Sequence, residues 1–490
     1  MPWLHSFKKH SLVIAIVVLY LVADMVLTGK EIYVLNLLPL LLFVVYLAVA
    51  RLDITYFAIV ALTPVSVQLI DYYPSSPIDF AIPTEPMLFG IMLLLIYKTL
   101  HDRTFDLKIL NHPVTYAILF NLFWIFITAI TSTMPLVSFK FLMARIWFVL
   151  TYYLLAILVF RKYTGIPVFI WCYAIPMLGV VIFTISHHVQ YGLFDKQAAH
   201  IVMAPFFRDH TSYGAVLAML FFAVGGVVLN KGKKLLFKLF FGGAWILIAV
   251  ALLLSYTRAA WISVLISLGV LALTLLKIRF RYILLAGIVG VVYLSGQRTA
   301  IVQKMQRNRQ TSSATLSQHV QSISNISTDE SNLERLNRWN SALRMFRERP
   351  VFGWGPGTYM FKYAPYQLSS EKTAISTDFG NLGNAHSEYI GPLTESGVLG
   401  ALSFILIGIF SLLTGFRVYS NIRDKYLKQL VLGMILGLIT YLVHGTLNNF
   451  LDTDKASALF WGFTGAFVSL DIYQGNLNAR TVSHEFDTQD

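Results

Sequence analysis

The stretch VLGALSFILIGIFSLLTGF, from Val398 to Phe416, contains no Asp, Glu, Lys or Arg. A helix of about 20 apolar residues is long enough to cross the hydrocarbon core of a bilayer. Similar runs recur along most of the chain, which is 56% hydrophobic and only 13% charged. The sequence therefore predicts an all-α polytopic membrane protein with about 12–14 transmembrane helices.

The distribution of positive charge predicts the orientation of these spans. If the N-terminus is cytoplasmic, the cytoplasmic segments hold twenty Lys or Arg and the short outer loops hold six. Helical membrane proteins keep their excess of Lys and Arg on the cytoplasmic side, so both termini are expected there. The net charge of +13 therefore mostly reflects topology and does not indicate a nucleic-acid surface. The predicted spans are roughly 11–27, 32–50, 54–71, 86–99, 114–131, 141–160, 166–186, 212–230, 235–254, 259–276, 280–296, 398–416, 428–447 and 456–472.

Hydropathy divides the chain into four parts. Residues 1–296 are expected to form an N-terminal transmembrane bundle, 297–397 a large outer loop, 398–472 the C-terminal transmembrane helices and 473–490 a cytoplasmic tail. The first span is expected to be retained, because no small-residue cleavage site follows it. The single cysteine, Cys172, allows neither an intrachain disulfide nor a cysteine metal cluster.

The large outer loop carries eleven Lys or Arg against eight Asp or Glu, an excess that topology does not explain. Its first part, 307–332, is rich in Ser, Thr, Gln and Asn and is expected to be mobile. Its second part, from Asn332 to Arg349, is predicted to be an amphipathic helix lying on the membrane or on the helix bundle. The apolar residues at helical spacing are Leu336, Trp339, Leu343 and Phe346.

A glycine-rich segment follows this helix. Pro350 is expected to end the helix, and GWGPG, from Gly353 to Gly357, contains a G-x-G-x-G pattern. No strand precedes the pattern and no helical pattern follows it directly, so a glycine turn is favoured over a nucleotide-binding loop.

The segment NAHSEYIGPLTESGVLG, residues 384–400, places His386 where the loop meets the next span. Imidazole is the side chain whose ordinary pKa lets it accept a proton near neutral pH, so His386 is a candidate general base. Asn384 and Ser387 are predicted to cap the following helix. The alternative is a histidine that only solvates a helix start at the membrane interface.

Three arginines are candidates for binding an anion. Arg258 follows a very short connection between two spans, with Thr257 as the predicted N-cap, so its charge adds to the positive end of a helix dipole. Arg335 and Arg338 lie on the predicted loop helix, where Glu334 can pair with Arg338. The alternatives are interfacial snorkelling for Arg258 and a solvated helix face for the other two.

Two further features give weaker signals. Arg145 lies inside a predicted span, where charge is costly, although near an outer end where lipid headgroups could satisfy it. Asp452 and Asp454, in LDTDK, form an Asp-x-Asp pattern like those that hold a divalent cation. An ordinary acidic loop is the favoured interpretation of this pair.

Three motifs, taken in order, resemble the O-antigen ligase and polymerase superfamily of integral membrane glycosyltransferases. They are SYTRAAW (255–261), ERLNRWNSALRMFRERPVFGWGPG (334–357) and the His386 segment, in which Gly397 stands eleven residues after the histidine. The chain departs from the family pattern at Ser387, where Asn is often found, and at Tyr256 and Thr257, where small serines are usual.

The resemblance implies a glycan donor on undecaprenyl diphosphate, used at the periplasmic face of a bacterial inner membrane without a metal ion or other cofactor. It implies that His386 is the base and that Arg258 and Arg335 bind the diphosphate, with Arg338 in a supporting role. The favoured acceptor is a sugar of the lipid A core. A polymerase of O-antigen or exopolysaccharide and a protein O-oligosaccharyltransferase remain alternatives within the superfamily, and a flippase for lipid-linked glycans is the alternative from another class.

Overall fold

The computed structural model describes residues 2–31, 34–74, 79–102, 106–228, 235–278, 282, 285, 287, 289, 290, 330–373, 376, 377 and 383–486. The chain divides into two compact units, Met1–Tyr56 and Phe57–Asp490. Most of the predicted span 280–296 lies outside the described residues, as does the loop segment predicted to be mobile up to residue 329.

Helices make up nearly all of the secondary structure in the described residues. In the first unit α1 spans Pro2–Thr28 and α2 spans Leu38–Ala50, and α3 (Leu52–Leu62) includes the unit boundary. Two residues each form the antiparallel strands β1 (Val67–Gln68) and β2 (Ala81–Ile82). Further helices up to the loop are α4 (Leu69–Tyr72), α5 (Thr84–Asp102), α6 (Leu107–Leu110), α7 (Pro113–Ile130), α8 (Pro135–Phe148), α9 (Ala156–Val159), α10 (Gly165–Tyr191), α11 (His210–Val228), α12 (Leu235–Leu254) and α13 (Arg258–Leu275). The remaining helices are α14 (Glu330–Glu348), α15 (Tyr359–Lys362), α16 (Ile390–Asn421), α17 (Lys425–His444) and α18 (Asp454–Phe486).

Seven helices in the described residues are long and apolar enough to cross a membrane. They are Pro113–Ile130, Pro135–Val159, Gly165–Tyr191, His210–Val228, Arg258–Leu275, Ile390–Asn421 and Lys425–His444. Shorter apolar helices occur at Ile14–Thr28, Leu52–Val65 and Leu239–Leu254. The predicted class, an all-α polytopic membrane protein, is confirmed.

The helix α18 lies in the interior of the second unit. Every residue from Asp454 to Leu470 is buried, and Trp461 is only 1% exposed. The sequence predicted a span ending at residue 472 and a polar tail, but the helix continues to Phe486. No proline occurs after Asp454, so nothing in the covalent chain forces the helix to stop at the end of the apolar run.

The predicted loop helix is present as α14 and ends before Pro350, but its most buried face is not the predicted one. The predicted apolar residues Leu336, Trp339, Leu343 and Phe346 are half-buried. The buried residues are Glu334, Asn337, Arg338, Ser341, Ala342 and Met345. This face can be buried because its polar groups find partners: the Glu334 carboxylate accepts hydrogen bonds from Arg338 and, at 2.9 Å, from the hydroxyl of Thr373.

The helix α14 packs on the bundle, since the hydroxyl of Thr394 in α16 donates to the carbonyl oxygen of Ala342 at 3.2 Å. A small apolar core joins the loop elements and consists of Ala342, Met345, Tyr359, Tyr363 and Ala385. Since Ala385 precedes His386 in the chain, this core fixes the histidine segment against the loop helix.

The GWGPG segment is a turn that docks on α16. Its three glycines all have positive φ, between +69° and +114°. The backbone N–H groups of Trp354 and Gly355 donate to the carbonyl oxygens of Thr394 and Glu395 at 3.2 and 2.8 Å. The predicted glycine turn is confirmed, and these N–H groups bind protein carbonyls rather than a nucleotide phosphate.

The helix α16 is interrupted at Gly397, where φ is 69° and ψ is −169°. The N–H of Val398 donates to the carbonyl oxygen of Pro350 at 3.1 Å, so the loop backbone runs directly against the break. A Cβ atom on Gly397 would lie 1.9 Å from the carbonyl oxygen of Val351, which leaves no room for any side chain. The conformation and the close approach together explain a glycine at this position.

Replacing Gly397 by alanine is expected to destabilise the protein by about 3 kcal/mol or more, because the backbone is left-handed and the methyl group overlaps Val351. The matched control is Gly391→Ala in the first turn of α16, where a Cβ would meet only Ala385 at 3.9 Å. Thermal unfolding of both variants in detergent measures the difference. Equal stability of the two variants would contradict the described break.

Candidate functional site

His386 lies in a short turn that leads into α16. Its φ is +48°, a left-handed conformation that is uncommon outside glycine. Its N–H donates to Oδ1 of Asn384 at 3.0 Å, while Oγ of Ser387 accepts from the N–H of Ile390 at 3.3 Å. The N-cap position of α16 is held by Tyr389 rather than by the predicted Asn384 or Ser387, although Ser387 accepts from the first N–H of the helix and Asn384 shapes the turn before it. Backbone strain of this kind costs about 1–3 kcal/mol and concentrates at functional sites.

The imidazole of His386 is half-buried and has two positive charges nearby. Burial, which is the largest cause, and the charges of Arg338 and Arg335 together lower its pKa to about 3. The ring is therefore uncharged at neutral pH in the protein without substrate. An uncharged imidazole can accept a proton.

Arg338 is buried beneath the His386 turn. Its Nε donates to Oε1 of Glu334 at 2.8 Å, which confirms the predicted pair, and its Nη1 donates to the carbonyl oxygen of Asn384 at 3.3 Å. Its guanidinium carbon also lies 5.3 Å from the centre of the Tyr363 ring. These contacts hold Arg338 in place, so its side chain supports the turn that carries His386.

Arg335 is half-buried one turn earlier on α14. Its Nε donates to the carbonyl oxygen of Leu447 at 3.2 Å. Its positive charge acts on three imidazoles that come from separate parts of the chain, those of His386, His210 and His444. Arg335 therefore lies where α14, the start of α11, the end of α17 and the histidine turn meet.

Arg258 is the first residue of α13, and α12 ends at Leu254, so the connection is as short as predicted. Thr257 occupies the N-cap position, but its side chain makes no capping bond. Its Oγ1 instead donates to the carbonyl oxygen of His210 at 2.7 Å, because the first turns of α11 and α13 lie side by side. The charges of Arg258 and Arg335 both act on the His210 imidazole, so the two arginines approach one site.

Sequence reasoning missed several basic and imidazole groups around this site. His210 stacks on His200 with ring centres 4.0 Å apart and planes within 3°, and the charge of Lys196 also acts on His210. His444 is buried, its Nε2 lies 3.0 Å from Nδ2 of Asn448, and its Nδ1 has no hydrogen-bond partner in the described structure. A lone histidine at either end of an apolar run carries no distinguishing sequence signal.

Sequence reasoning also missed Glu388, two residues after His386. We call residues 445–453, between α17 and α18, the return loop. The Glu388 side chain is buried, and its own N–H donates to the carbonyl oxygen of Gly445 at 2.8 Å. Its Oε1 accepts from three donors, which are the hydroxyl of Tyr441 at 2.5 Å and the N–H groups of Phe450 and Leu451 at 2.8 and 2.9 Å.

The protein itself supplies partners for Arg145. Its Nη1 donates to the carbonyl oxygen of Leu451 at 3.1 Å, and its guanidinium carbon lies 5.2 Å from the centre of the Phe141 ring. Arg145 thus anchors the return loop from the side of α8. Lipid headgroups are not needed to explain a charge at this position.

The Asp-x-Asp pair does not act as a unit. Asp454 is buried, and its Oδ2 accepts from the hydroxyls of Ser66 and Thr84 at 2.6 Å each, while Oδ1 lies 3.6 Å from Nζ of Lys455. Asp452 is exposed. The arrangement favours a structural role for Asp454. In the described ranges no group of three or more His, Cys, Asp or Glu is placed to hold a metal ion.

These features define a multi-pass helical membrane protein in which the guanidinium groups of Arg335 and Arg338 act on a neutral imidazole. In comparison with known proteins, residues 243–405 match the model of a family described as O-antigen ligase. The match includes Arg258, Arg335, Arg338 and His386, and it bears out the resemblance to the O-antigen ligase superfamily that the three motifs indicated. An uncharacterized protein of Haemophilus influenzae is 22% identical over 301 residues, which make up 60% of this chain and 72% of that protein.

Proposed function

We propose that this chain is an O-antigen ligase-type glycosyltransferase that moves a glycan from undecaprenyl diphosphate to an acceptor hydroxyl. The observation that carries the proposal is the position of Arg335, whose charge acts on the neutral His386 and, together with the charge of Arg258, on His210. Such a site can bind an anionic leaving group and accept a proton beside it. The match of residues 243–405 to the O-antigen ligase family model supports the same chemistry.

In this proposal Arg258 and Arg335 bind the diphosphate of the donor. Each charge-assisted hydrogen bond contributes about 1.5–3 kcal/mol. The bond between the anomeric carbon and the diphosphate oxygen breaks, and its electron pair leaves with the diphosphate. Negative charge therefore grows where the guanidinium groups lie, so they stabilise the transition state more than the bound substrate. Arg338 contributes by holding the His386 turn.

His386 takes the proton of the acceptor hydroxyl as that oxygen attacks the anomeric carbon, and the imidazolium later loses the proton to solvent. In the free protein burial, followed by the charges of Arg338 and Arg335, holds the pKa of His386 low. A bound diphosphate offsets those charges but not the burial, so the pKa of His386 rises by the part that the charges contribute. The imidazole is thus a stronger base when the donor is present.

The lipid tail of the donor requires the reactive bond to lie at headgroup depth. His386 lies four residues before the first residue of α16, a position that supports such a depth, and the positive-inside pattern favours the outer side for that end of α16. We therefore propose the bacterial inner membrane as the location, with both termini cytoplasmic and the site on the periplasmic face among membrane lipids. The arginines supply the positive charge, so the proposed reaction uses no metal ion or other cofactor.

Three classes of acceptor are compatible with the proposed donor site. A lipid A core sugar makes the protein a ligase, the end of another lipid-linked repeat makes it an O-antigen or exopolysaccharide polymerase, and a protein hydroxyl makes it an O-oligosaccharyltransferase. All three need the same donor site and base. A flippase for lipid-linked glycans would use a cationic cavity without forming a covalent product.

A reconstituted reaction tests the proposal. Purified protein in lipid is mixed with an undecaprenyl-diphosphate glycan and rough lipopolysaccharide in EDTA, and the products are resolved on a gel. A single shifted lipopolysaccharide band is the expected result. A ladder on the donor lipid would identify a polymerase, and modification of an added protein would identify the oligosaccharyltransferase. No covalent product with any acceptor would overturn the proposed function.

A further inference from the structure

The return loop contacts Arg335, the proposed diphosphate-binding residue, and Glu388, which lies two residues after the proposed base His386. Arg335 donates to the carbonyl oxygen of Leu447, in the first half of this loop. Glu388, two residues after His386, accepts from the N–H groups of Phe450 and Leu451 in the second half of the same loop. One short segment between α17 and α18 therefore contacts both the segment that carries His386 and Arg335, the residue proposed to bind the diphosphate.

We propose that Glu388 is a positioning residue that fixes His386 relative to Arg335 through the return loop. The inference rests on the proposed function, because it concerns the geometry of the same reaction. Glu388 itself is buried and its described contacts are with protein donors, so it is not expected to touch the substrate.

The bonds made by Glu388 are suited to this role. A single carboxylate oxygen accepts hydrogen bonds from a hydroxyl and two N–H groups at 2.5 to 2.9 Å. Three donors on different sides therefore hold this oxygen in place. The backbone of the same residue donates to Gly445, at the opposite end of the return loop. The neighbouring Tyr389 donates its hydroxyl to the carbonyl oxygen of Leu442 at 2.8 Å, which adds a contact with the last turn of α17.

Loss of this carboxylate would leave buried donors without an acceptor and would let the His386 turn move away from the loop. A displacement of about 1 Å between catalytic groups can lower a rate about 100-fold. Glutamine keeps a side-chain oxygen at the same reach, so it can still accept from the N–H groups of Phe450 and Leu451. Alanine provides no acceptor.

The test compares Glu388→Ala, Glu388→Gln and an exposed-carboxylate control, Glu348→Ala at the end of α14. In Glu388→Ala we expect kcat per folded molecule to fall about 30–100-fold, with KM for the donor changed less than about threefold. Glu388→Gln is expected to retain transfer within about fivefold of the natural protein. The control is expected to leave both kinetic constants unchanged.

Two readouts separate positioning from a general loss of stability. Hydrogen exchange followed by mass spectrometry should show faster exchange at 386–390 and 445–453 in Glu388→Ala, and little change elsewhere. The pH at which kcat/KM falls on the acidic side should rise toward about pH 6.5. A His386 side chain that is no longer held in its buried position is better hydrated, which raises its pKa. If Glu388→Ala only lowered the overall stability, the folded molecules would keep the natural kcat and the natural pH dependence of kcat/KM.

Unchanged hydrogen exchange in the two segments would overturn the inference, and so would faster exchange with normal kcat per folded molecule. A natural protein that transfers no glycan to any acceptor is a different outcome, which removes the proposed function. In that case hydrogen exchange in Glu388→Ala still decides whether Glu388 holds the His386 turn to the return loop.

Discussion

Replacement of His386 by alanine is expected to lower the rate of glycan transfer about 10²–10⁴-fold, the usual contribution of a general base. The variant loses the group that accepts the proton from the acceptor hydroxyl, while the arginines and the fold remain. The fold should persist because the His386 turn is held by Asn384, Ser387 and Glu388. Initial rates at saturating donor, with thermal unfolding of the same samples, measure both quantities.

The control for this variant is His101→Ala. His101 is exposed at the end of α5, on the predicted cytoplasmic side, and is expected to be replaceable without loss of transfer. A His386→Ala protein that transfers glycan at the natural rate would remove the assignment of this residue as the base. Loss of transfer together with a large drop in unfolding temperature would instead indicate a structural role.

The pH dependence of the natural protein follows from the lowered pKa of His386. A base is active when uncharged, and its activity is lost as the pH falls through its pKa. With a pKa of about 3 in the free protein, kcat/KM should show no loss from His386 between about pH 8 and pH 5. Since bound diphosphate raises this pKa, kcat should decline at a higher pH than kcat/KM. An acidic limb of kcat/KM near about pH 6.5 in the natural protein would contradict the buried, cationic surroundings of His386.

Replacement of Arg335 by alanine is expected to lower kcat about 10²–10³-fold, comparable to the loss of one strong donor to developing negative charge. Arg335 is the guanidinium whose charge acts on His386, His210 and His444 together. Arg335→Lys is expected to recover only part of the rate, since lysine keeps the charge but lacks the planar fork that binds two phosphate oxygens. Steady-state kinetics with varied donor measures both variants.

A matched control lies on the same helix, because Arg347 is exposed in the last turn of α14. Arg347→Ala removes the same kind of charge and should leave kcat unchanged. The Arg335 variant also loses the hydrogen bond to Leu447, so its thermal unfolding is compared with that of the natural protein. Full activity of Arg335→Ala would show that the diphosphate is bound elsewhere.

Local sequence patterns predicted the parts of this structure that depend on local physics. Hydropathy predicted an all-α polytopic membrane protein, and helical spacing predicted α14. Pro350 and the glycines predicted the turn that follows α14. The break in α16 at Gly397 also has a sequence signal, because a glycine stands where the polar segment becomes a span. The three motifs indicated His386, Arg258 and Arg335, and the family match of residues 243–405 bears out the resemblance they indicated.

Other features depend on contacts between distant segments and carry no local signal. Glu388 looks like a charged residue at a helix start, yet it accepts hydrogen bonds from donors more than fifty residues away in sequence. Thr257 has the sequence of an N-cap, but the neighbouring carbonyl of His210 takes its hydroxyl. The buried face of α14 was wrongly predicted because Glu334 and Arg338 satisfy each other, which lets a polar face pack inward.

Quantifying the leaving group tests most directly whether this protein transfers glycan with His386 as the base. Purified protein in lipid, with EDTA and no energy source, is given undecaprenyl-diphosphate glycan and rough lipopolysaccharide, and free undecaprenyl diphosphate and glycosylated acceptor are quantified together. We expect one undecaprenyl diphosphate to be released for each glycan transferred. In His386→Ala both products should form about 10²–10⁴-fold more slowly. A verified donor that stays intact with each acceptor class, or release at the same rate in His386→Ala, would contradict it.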